Sequence, residues 1–365
     1  MKKFLTMILT LAMVMSLVAC NSGAAATTTT KAAAVTTAAA TTAAPADTTA
    51  APADTTAAKS GGPFEIAVII KATSSDFWQY VLVGANNYGI EFPDRVHITT
   101  YGPPAEADID QQVSILEDVI ASGPDAIVIA STSSDATVPA IEEAFAKGIP
   151  VITIDNKVTT DKINSFLATD NVVGGGMAAV KMVEELKAKY GDDLSGKAVA
   201  VISAMAGVQV LTNRDQGFAD KIKEIAPGLT VLETRYVDND MTKAMSAAED
   251  LLTANDNLIG IFADNNTCGS GTSRVIGQLN VADSVFCIAF DSDPEEIAGL
   301  TDGNIKALVL QDPYGMGYKG VDFAYQKLMG KEIPATVDTG ATLVTKDNMN
   351  DAAIKGLLDP YTLKK

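Results

Sequence analysis

A set of acids, amides, basic groups and aromatic rings follows closely after short apolar runs of the sequence. These residues are Lys71, Phe77, Trp78, Asp155, Asn156, Arg214, Asn239, Asn265, Asp291 and Gln311. Carboxylates and amides can form paired hydrogen bonds with neighbouring hydroxyl groups, and aromatic rings can cover an apolar C–H face. Because a monosaccharide offers both kinds of surface, this combination favours a binding site for a small sugar.

The apolar runs predict the elements that would position these side chains. They occupy residues 66–70, 96–100, 126–130, 151–155, 165–169, 198–203, 230–237, 259–264, 285–290 and 307–311. The stretches between them have helical spacing, as with Ile109, Val113, Leu116 and Ile120 on one helical face. Continuous β-branched runs that alternate with helices predict parallel strands buried on both faces, and hence an α/β fold.

This pattern occurs twice, over residues 64–169 and residues 170–311, with a short remainder behind. Two similar α/β lobes would leave a cleft between them. Ligands of open α/β sheets bind beyond the carboxyl ends of the strands, which is where the polar and aromatic residues fall. The glycine run 174–176 opens a helix but lacks the lysine of a phosphate-binding loop, so close helix packing is the better interpretation.

Several motifs in the appropriate order resemble the periplasmic-type sugar-binding proteins of ABC transporters, in the ribose-binding and repressor-core group. The motifs are Phe77-Trp78, GIPVITID (148–155), ATDNVVGG (168–175), NRDQGF (213–218), FADNN (262–266), AFDSDPE (289–295) and LQDPYGMGYKGV (310–321). The resemblance covers nearly the whole chain from Phe64 onward. It implies two Rossmann-like lobes with parallel sheets, joined by three hinge crossings. The lobes would comprise residues 64–169 plus 312–338 and residues 170–311 plus 339–365.

The same resemblance implies roles for individual residues. Phe77 and Trp78 match ring-stacking aromatics of the family, and Ser75 lies near the position of an asparagine that precedes them. Asn265, Asp291 and Gln311 match three hydrogen-bonding residues of the family's second lobe. Asp155 matches a carboxylate at a strand end, and Arg214 matches the arginine that precedes a Gly-Phe pair.

Three positions depart from the ribose-binding pattern. Asn156 stands where that branch has arginine, Asn239 where it has phenylalanine, and Lys71 where it has serine. Branches that bind autoinducer-type furanoses or deoxysugars are similar to this chain in having lysine at that strand end. These departures argue against ribose as the ligand and leave the identity of the small sugar open.

The family resemblance implies a binding protein that captures a sugar by closure of its lobes and delivers it to the membrane subunits of an ABC permease. It implies no cofactor, no catalytic group, no metal, and a monomer. One alternative is a receptor that presents a sugar-like signal to a sensor or chemoreceptor. Another is an enzyme, for which Asp155 and Asp291 could imitate an acid/base pair.

The N-terminus predicts export. Residues 1–19 have the charged end and apolar stretch of a signal peptide, and the ending Leu-Val-Ala-Cys makes Cys20 the expected lipidated residue. Residues 20–62 are rich in alanine and threonine and predict a disordered tether. The protein would then be anchored to the outer face of the bacterial cell membrane.

Composition excludes other classes. The formal net charge of −18 argues against nucleic-acid binding. With one histidine and no cluster of cysteine and histidine, the sequence lacks the ligands of a zinc site. Cys268 and Cys287 are compatible with a disulfide or with two buried apolar residues. Trp78 also belongs to a helical stripe with Val81, Leu82 and Ala85, so packing inside the protein is an alternative to ligand contact.

Overall fold

The computed structural model describes residues 62–365, which belong to one compact unit. The predicted signal peptide, Cys20 and the tether up to residue 61 lie outside the described residues. Within residues 62–365, none of the helices combines the length and the apolar character that crossing a bilayer requires.

The described chain alternates strands and helices. The strands are β1 (Phe64–Ile69), β2 (Val96–Tyr101), β3 (Ala126–Ile129), β4 (Val151–Ile154), β5 (Ser165–Ala168), β6 (Ala198–Ser203), β7 (Thr230–Val231), β8 (Arg235–Tyr236), β9 (Leu258–Ala263), β10 (Phe286–Phe290), β11 (Ala307–Leu310), β12 (Thr336–Asp338) and β13 (Thr342–Thr345). The helices are α1 (Asp76–Glu91), α2 (Ile109–Ser122), α3 (Val138–Ala146), α4 (Asn171–Tyr190), α5 (Gln209–Ile225), α6 (Met241–Ala254), α7 (Asn266–Leu279), α8 (Pro294–Asp302), α9 (Pro313–Leu328) and α10 (Ala352–Leu358), followed by a 3₁₀ turn at Pro360–Leu363.

The strands form two sheets, and the α/β fold class predicted from the sequence is confirmed. The first sheet has the order β12-β5-β4-β3-β1-β2 and is parallel throughout. The second has the order β13-β11-β10-β9-β6-β7, with β8 also paired to β6 and only β13 antiparallel. We call each sheet with its helices the first lobe and the second lobe.

Each sheet is buried on both faces, as its continuous apolar strands require. Residues 66–69 of β1 and all of β3, β6, β9, β10 and β11 are buried. In the first lobe, α1 and α9 cover one face and α2 and α3 the other. In the second lobe, α4 and α5 cover one face, and α6, α7 and α8 the other.

Glycines allow two helix pairs to approach closely at related places in the lobes. A Cβ atom on Gly84 of α1 would lie 2.0 Å from the carbonyl oxygen of Tyr314 in α9. A Cβ atom on Gly175 of α4 would lie 2.0 Å from the carbonyl oxygen of Arg214 in α5. Gly175 of the glycine run 174–176 therefore serves the helix packing that the sequence predicts.

Two parts of the fold differ from the sequence-based expectation. The run 230–237 forms two short strands instead of one, because it pairs only with β6 and its polar side chains face solvent. The strands β12 and β13 were not predicted as strands.

The end of the described chain also departs from the expected division. Residues 339–365 were assigned to the second lobe, whereas residues 361–365 lie along α1 of the first lobe. The Tyr361 hydroxyl donates to Asp76 over 3.1 Å, and the Asn87 amide donates to the carbonyl oxygen of Leu363 over 2.7 Å. Leu358 remains in the core of the second lobe, so the segment after it spans both lobes.

Candidate functional site

A narrow cavity lies between the carboxyl ends of the two sheets. The first lobe contributes Lys71, Ser75, Phe77, Trp78, Glu106 and Asp155, and the second lobe contributes Val208, Val210, Leu211, Arg214, Asn265, Asn266, Asp291 and Gln311. The cavity volume of about 30 Å³ has room for a water molecule or two and no more. A sugar could occupy it only after the surrounding groups move apart.

Lys71 and Asp155 form a buried ion pair on the first-lobe side. Lys71 follows β1 and Asp155 follows β4, and the Lys71 Nζ donates to Asp155 Oδ2 over 2.5 Å. The two side chains are only 2% and 4% exposed. A buried carboxylate of this kind needs a cation or hydrogen-bond donors, because removal from water is costly for an isolated charge.

Two aromatic rings stand beside this pair at the start of α1. The rings of Phe77 and Trp78 meet edge to face, with centroids 4.8 Å apart. The Lys71 Nζ lies 5.3 Å from the centroid of the Trp78 ring, and the indole N–H donates to Glu106 Oε1 over 2.5 Å. Trp78 therefore packs in the core of the first lobe and also lines the cavity. The helix begins after Ser75, whose hydroxyl forms no capping bond.

Arg214 supplies the cation on the second-lobe side. Its Nε donates to Asn171 Oδ1, and its Nη1 donates to the backbone oxygen of Asp264, each over 2.8 Å. The guanidinium carbon lies 3.9 Å from the centroid of the Phe290 ring. These contacts hold the buried guanidinium 3.6 Å from Asp291 Oδ2.

Asp291 and Gln311 form the other polar group of the second lobe. The Gln311 Nε2 donates to Asp291 Oδ1 over 2.7 Å, while the buried Gln311 Oε1 has no hydrogen-bond partner within residues 62–365. Burial raises the pKa of Asp291 to about 6, against the opposing effects of Arg214 and Gln311. A buried acceptor without a donor is unfavourable, and a ligand hydroxyl would satisfy it.

The two cavity aspartates occupy matching places in the lobes. Asp155 has φ 66° and Asp291 has φ 76°, both in the left-handed region that few residues other than glycine adopt. The backbone N–H of Asp155 donates to Leu167, and that of Asp291 donates to Val309, in each case to the neighbouring strand. This uncommon backbone conformation directs one carboxylate from each lobe into the cleft.

The lining includes nine of the eleven residues predicted for the site. Asn156 and Asn239 are not part of it. The Asn156 amide is buried and turned towards the Thr132 carbonyl oxygen, 3.3 Å away. The Asn239 Oδ1 accepts a hydrogen bond from the Asn265 amide over 2.8 Å, so Asn239 positions a lining residue without lining the cavity itself.

Five lining residues were not predicted. Asn266 directly follows a predicted residue. Glu106 belongs to the loop after β2, Val208 to the loop after β6, and Val210 and Leu211 to the first turn of α5. The strand that becomes β2 was predicted, so a search of the residues after it could have found Glu106.

The chemistry of the lining suits hydroxyl groups. Three carboxylates, two cations and three side-chain amides can donate and accept hydrogen bonds, while the rings and the apolar residues offer a surface for C–H groups. Among the described residues, no cluster of three or more histidine, cysteine or acidic side chains could hold a metal ion. Cys268 and Cys287 are both free and buried, which answers the question that their sequence left open.

The fold and the cavity define a class: a two-lobed α/β binding protein whose ligand site lies in the cleft between the lobes. The family model described as the periplasmic binding protein domain matches residues 66–332, and the chain belongs to this family. The family resemblance stated from the sequence motifs is thus confirmed.

Relatives and solved structures agree with this membership. The chain is 30% identical over 242 residues to the ribose import binding protein RbsB of Bacillus subtilis, covering 66% of this chain and 75% of the relative. It is similar to a carbohydrate transporter solute-binding protein from Agrobacterium radiobacter in complex with D-arabinose, with TM-score 0.78, 38% identity and coverage of 81% and 99% of the two chains. It is also similar to an ABC transporter solute-binding protein from Agrobacterium vitis with bound D-fucose, with TM-score 0.74, 35% identity and coverage of 80% and 99%. The family and these neighbours are binding proteins.

Proposed function

We propose that the protein is an extracytoplasmic substrate-binding protein that captures a small sugar between its lobes and delivers it to an ABC permease. The observation that carries this proposal is the cavity between the sheets, where each lobe supplies a strand-end aspartate beside a cation. The relatives that import ribose and the neighbours solved with D-arabinose and D-fucose support a monosaccharide as the ligand.

The mechanism follows from the contacts in the cavity. With the lobes apart, water solvates the ion pair of Lys71 and Asp155 and the group of Arg214 and Asp291. A sugar that enters would bond to both groups and to the Gln311 oxygen, and the rings of Phe77 and Trp78 would cover its C–H face. Because such a ligand contacts both lobes only when they are closed, it stabilises the closed state and shifts the population towards it.

The proposal includes the division into lobes and the hinges between them. Residues 64–169 plus 312–338 would move against residues 170–311 plus 339–360, and the chain would cross between them near 169–170, 311–312 and 338–339. Residues 361–365, which lie along α1, would stay with the first lobe. The protein would act as a monomer, be exported by residues 1–19, and be held on the outer face of the cell membrane by a lipid on Cys20. Two acyl chains would be enough for stable attachment.

Ligand binding can be tested by thermal shift and calorimetry on the full chain in detergent. The panel contains D-arabinose, D-fucose, D-tagatose, D-ribose and D-allose. A sugar at about 100 times its Kd should add about 2.7 kcal/mol to the free energy of unfolding and raise Tm accordingly. Asp155→Asn and Asp291→Asn should abolish the shift, whereas Asp161→Asn, whose side chain is 89% exposed, should not change it.

The proposal would be wrong if no sugar of a panel extended to other pentoses, hexoses and inositols raised Tm. The transport role needs a cellular test: deletion of the gene should abolish uptake of the labelled sugar. Loss of a response to the sugar with uptake intact would instead support the sensory alternative. Recovery of the sugar unchanged after long incubation would argue against an enzyme.

A further inference from the structure

We infer that Glu106 is a further ligand-binding residue, which accepts a hydrogen bond from a sugar hydroxyl and selects against anionic sugars. This inference rests on the proposed function. Glu106 belongs to the loop between β2 and α2 and lines the cavity with Lys71 and Asp155. It adds a third carboxylate to a site that has two cations.

The first observation is the bond to Trp78. The indole N–H of this buried residue donates to Glu106 Oε1 over 2.5 Å. A buried indole N–H needs an acceptor, so Glu106 fixes the orientation of the ring in the cavity wall. Lys71 over the ring and Phe77 at its edge complete the support.

The second observation is the unused capacity of the carboxylate. A glutamate has two oxygens with about four acceptor positions, and the indole N–H occupies one of them. Among the hydrogen bonds of residues 62–365, Glu106 makes no other. Since the residue also lines the cavity, the second oxygen is free to accept from a ligand hydroxyl.

The third observation is that the loop carrying Glu106 is held in place. The Thr73 N–H donates to the Pro103 carbonyl oxygen over 2.9 Å, and the Ser74 hydroxyl donates to the Pro104 carbonyl oxygen over 2.8 Å. These bonds join the loop after β2 to the loop after β1. Glu106 therefore keeps a fixed position relative to Lys71 and the rings.

The charge of Glu106 has a consequence for specificity. Glu106 lies on the first lobe and acts electrostatically on Asp291 of the second lobe, raising the pKa of Asp291. Two carboxylates that line one closing cleft from opposite lobes favour a ligand that brings hydrogen-bond donors and disfavour one that brings a third negative charge. A neutral sugar meets this requirement, and a uronic acid does not.

The test compares Glu106→Gln and Glu106→Ala with the matched control Glu117→Gln, an exposed glutamate on α2. The neutral probes are D-fucose and D-arabinose, and the anionic probe is D-galacturonate, which has a carboxylate where D-fucose has a methyl group. Loss of a hydrogen bond to a charged acceptor should weaken neutral-sugar binding of Glu106→Gln by about tenfold to a hundredfold. The preference for D-fucose over D-galacturonate should fall in this variant, while Glu117→Gln should behave as the wild type.

Trp78 provides a second readout, because it is the only tryptophan of the chain. Its fluorescence without ligand should change in Glu106→Ala, which removes the indole acceptor, and should stay close to that of the wild type in Glu106→Gln, whose amide oxygen can still accept. A merely structural role in packing would not separate these two variants in this way.

The outcomes keep the two proposals apart. If the wild type binds a neutral sugar and Glu106→Gln binds it equally well, Glu106 is not a binding residue. If Glu106→Gln keeps the preference of the wild type for D-fucose over D-galacturonate, Glu106 does not select against anionic sugars. If fluorescence is the same in all variants, Glu106 does not orient Trp78. If the wild type binds no sugar, the proposed function fails, and the fluorescence comparison still decides the contact between Glu106 and the indole.

Discussion

The substitution Lys71→Met tests whether the ion pair with Asp155 belongs to the binding site or only to the framework of the first lobe. It keeps much of the volume of the side chain and removes its charge. The carboxylate of Asp155 would then be buried without the cation that now lies 2.5 Å away. Removing one partner of a buried pair typically costs about 3–5 kcal/mol.

A binding role predicts that Lys71→Met loses this free energy from sugar binding, and a framework role predicts that it loses it from the stability of the fold. Both side chains lie at the cleft, so when the lobes are apart water can solvate Asp155, and an exposed pair contributes only about 0–1 kcal/mol. The full penalty then applies only to the closed state with ligand. Lys71→Met should lower sugar affinity by about two hundredfold to five thousandfold and change the free energy of unfolding without ligand by about 1 kcal/mol or less.

Calorimetry with the bound sugar and urea unfolding without it measure the two quantities. Lys157→Met, which removes an exposed lysine from the loop after β4, is the matched control and should change neither. The double variant Lys71→Met/Asp155→Asn should recover part of any lost stability, because the unpaired charge is gone. The reasoning would be refuted if Lys71→Met lost about 3–5 kcal/mol of stability without ligand and kept its affinity.

Two further predictions concern the second lobe. Because the folded state holds the pKa of Asp291 at about 6, above its ordinary value of 3.8, the native protein binds more protons than the unfolded chain between these values. The free energy of unfolding of the closed, sugar-bound protein should therefore fall as the pH rises from about 4 to 6, by up to about 1.4 kcal/mol per pH unit for this group. In urea titrations of the wild type at several pH values, this slope should appear with saturating sugar and be smaller without sugar, because water solvates Asp291 when the lobes are apart; equal slopes would contradict the assignment. Gly175→Ala should destabilise the protein by about 1–3 kcal/mol and weaken sugar binding, because the new Cβ would meet the Arg214 carbonyl oxygen at 2.0 Å. Gly176→Ala is its control, since its nearest neighbour atom lies 3.9 Å away; equal Tm values for the two variants would show that the helices are not in close contact.

Much of the fold could be predicted because the local pattern and the tertiary structure agree. Parallel strands buried on both faces must be continuously apolar, and β6 (Ala198–Ser203) was predicted at its observed bounds for that reason. The strands β12 and β13 gave no such signal. They lie at sheet edges and are only partly buried, so their sequences have no continuous apolar run.

The candidate site was predictable to the extent that its residues follow strands directly. Asp155, Asp291 and Gln311 come one residue after β4, β10 and β11, and the topology brings such positions together at one edge. Glu106 comes five residues after β2, in a loop whose path depends on bonds to another loop. Sequence position alone could not place it, and the same holds for the apolar residues after β6.

Asn156 was predicted for the site because it lies at a strand end, yet it does not line the cavity. It directly follows Asp155, yet the left-handed backbone at Asp155 turns the chain there, and the backbone N–H of Asn156 donates to Ile154. The side chains of the two residues therefore point to different places, one into the cavity and the other towards Thr132. A change at Asn156 would act on the shape of this loop, and through it on Asp155. The uncommon backbone conformation, more than the residue type, decides which of two adjacent polar groups can contact a ligand.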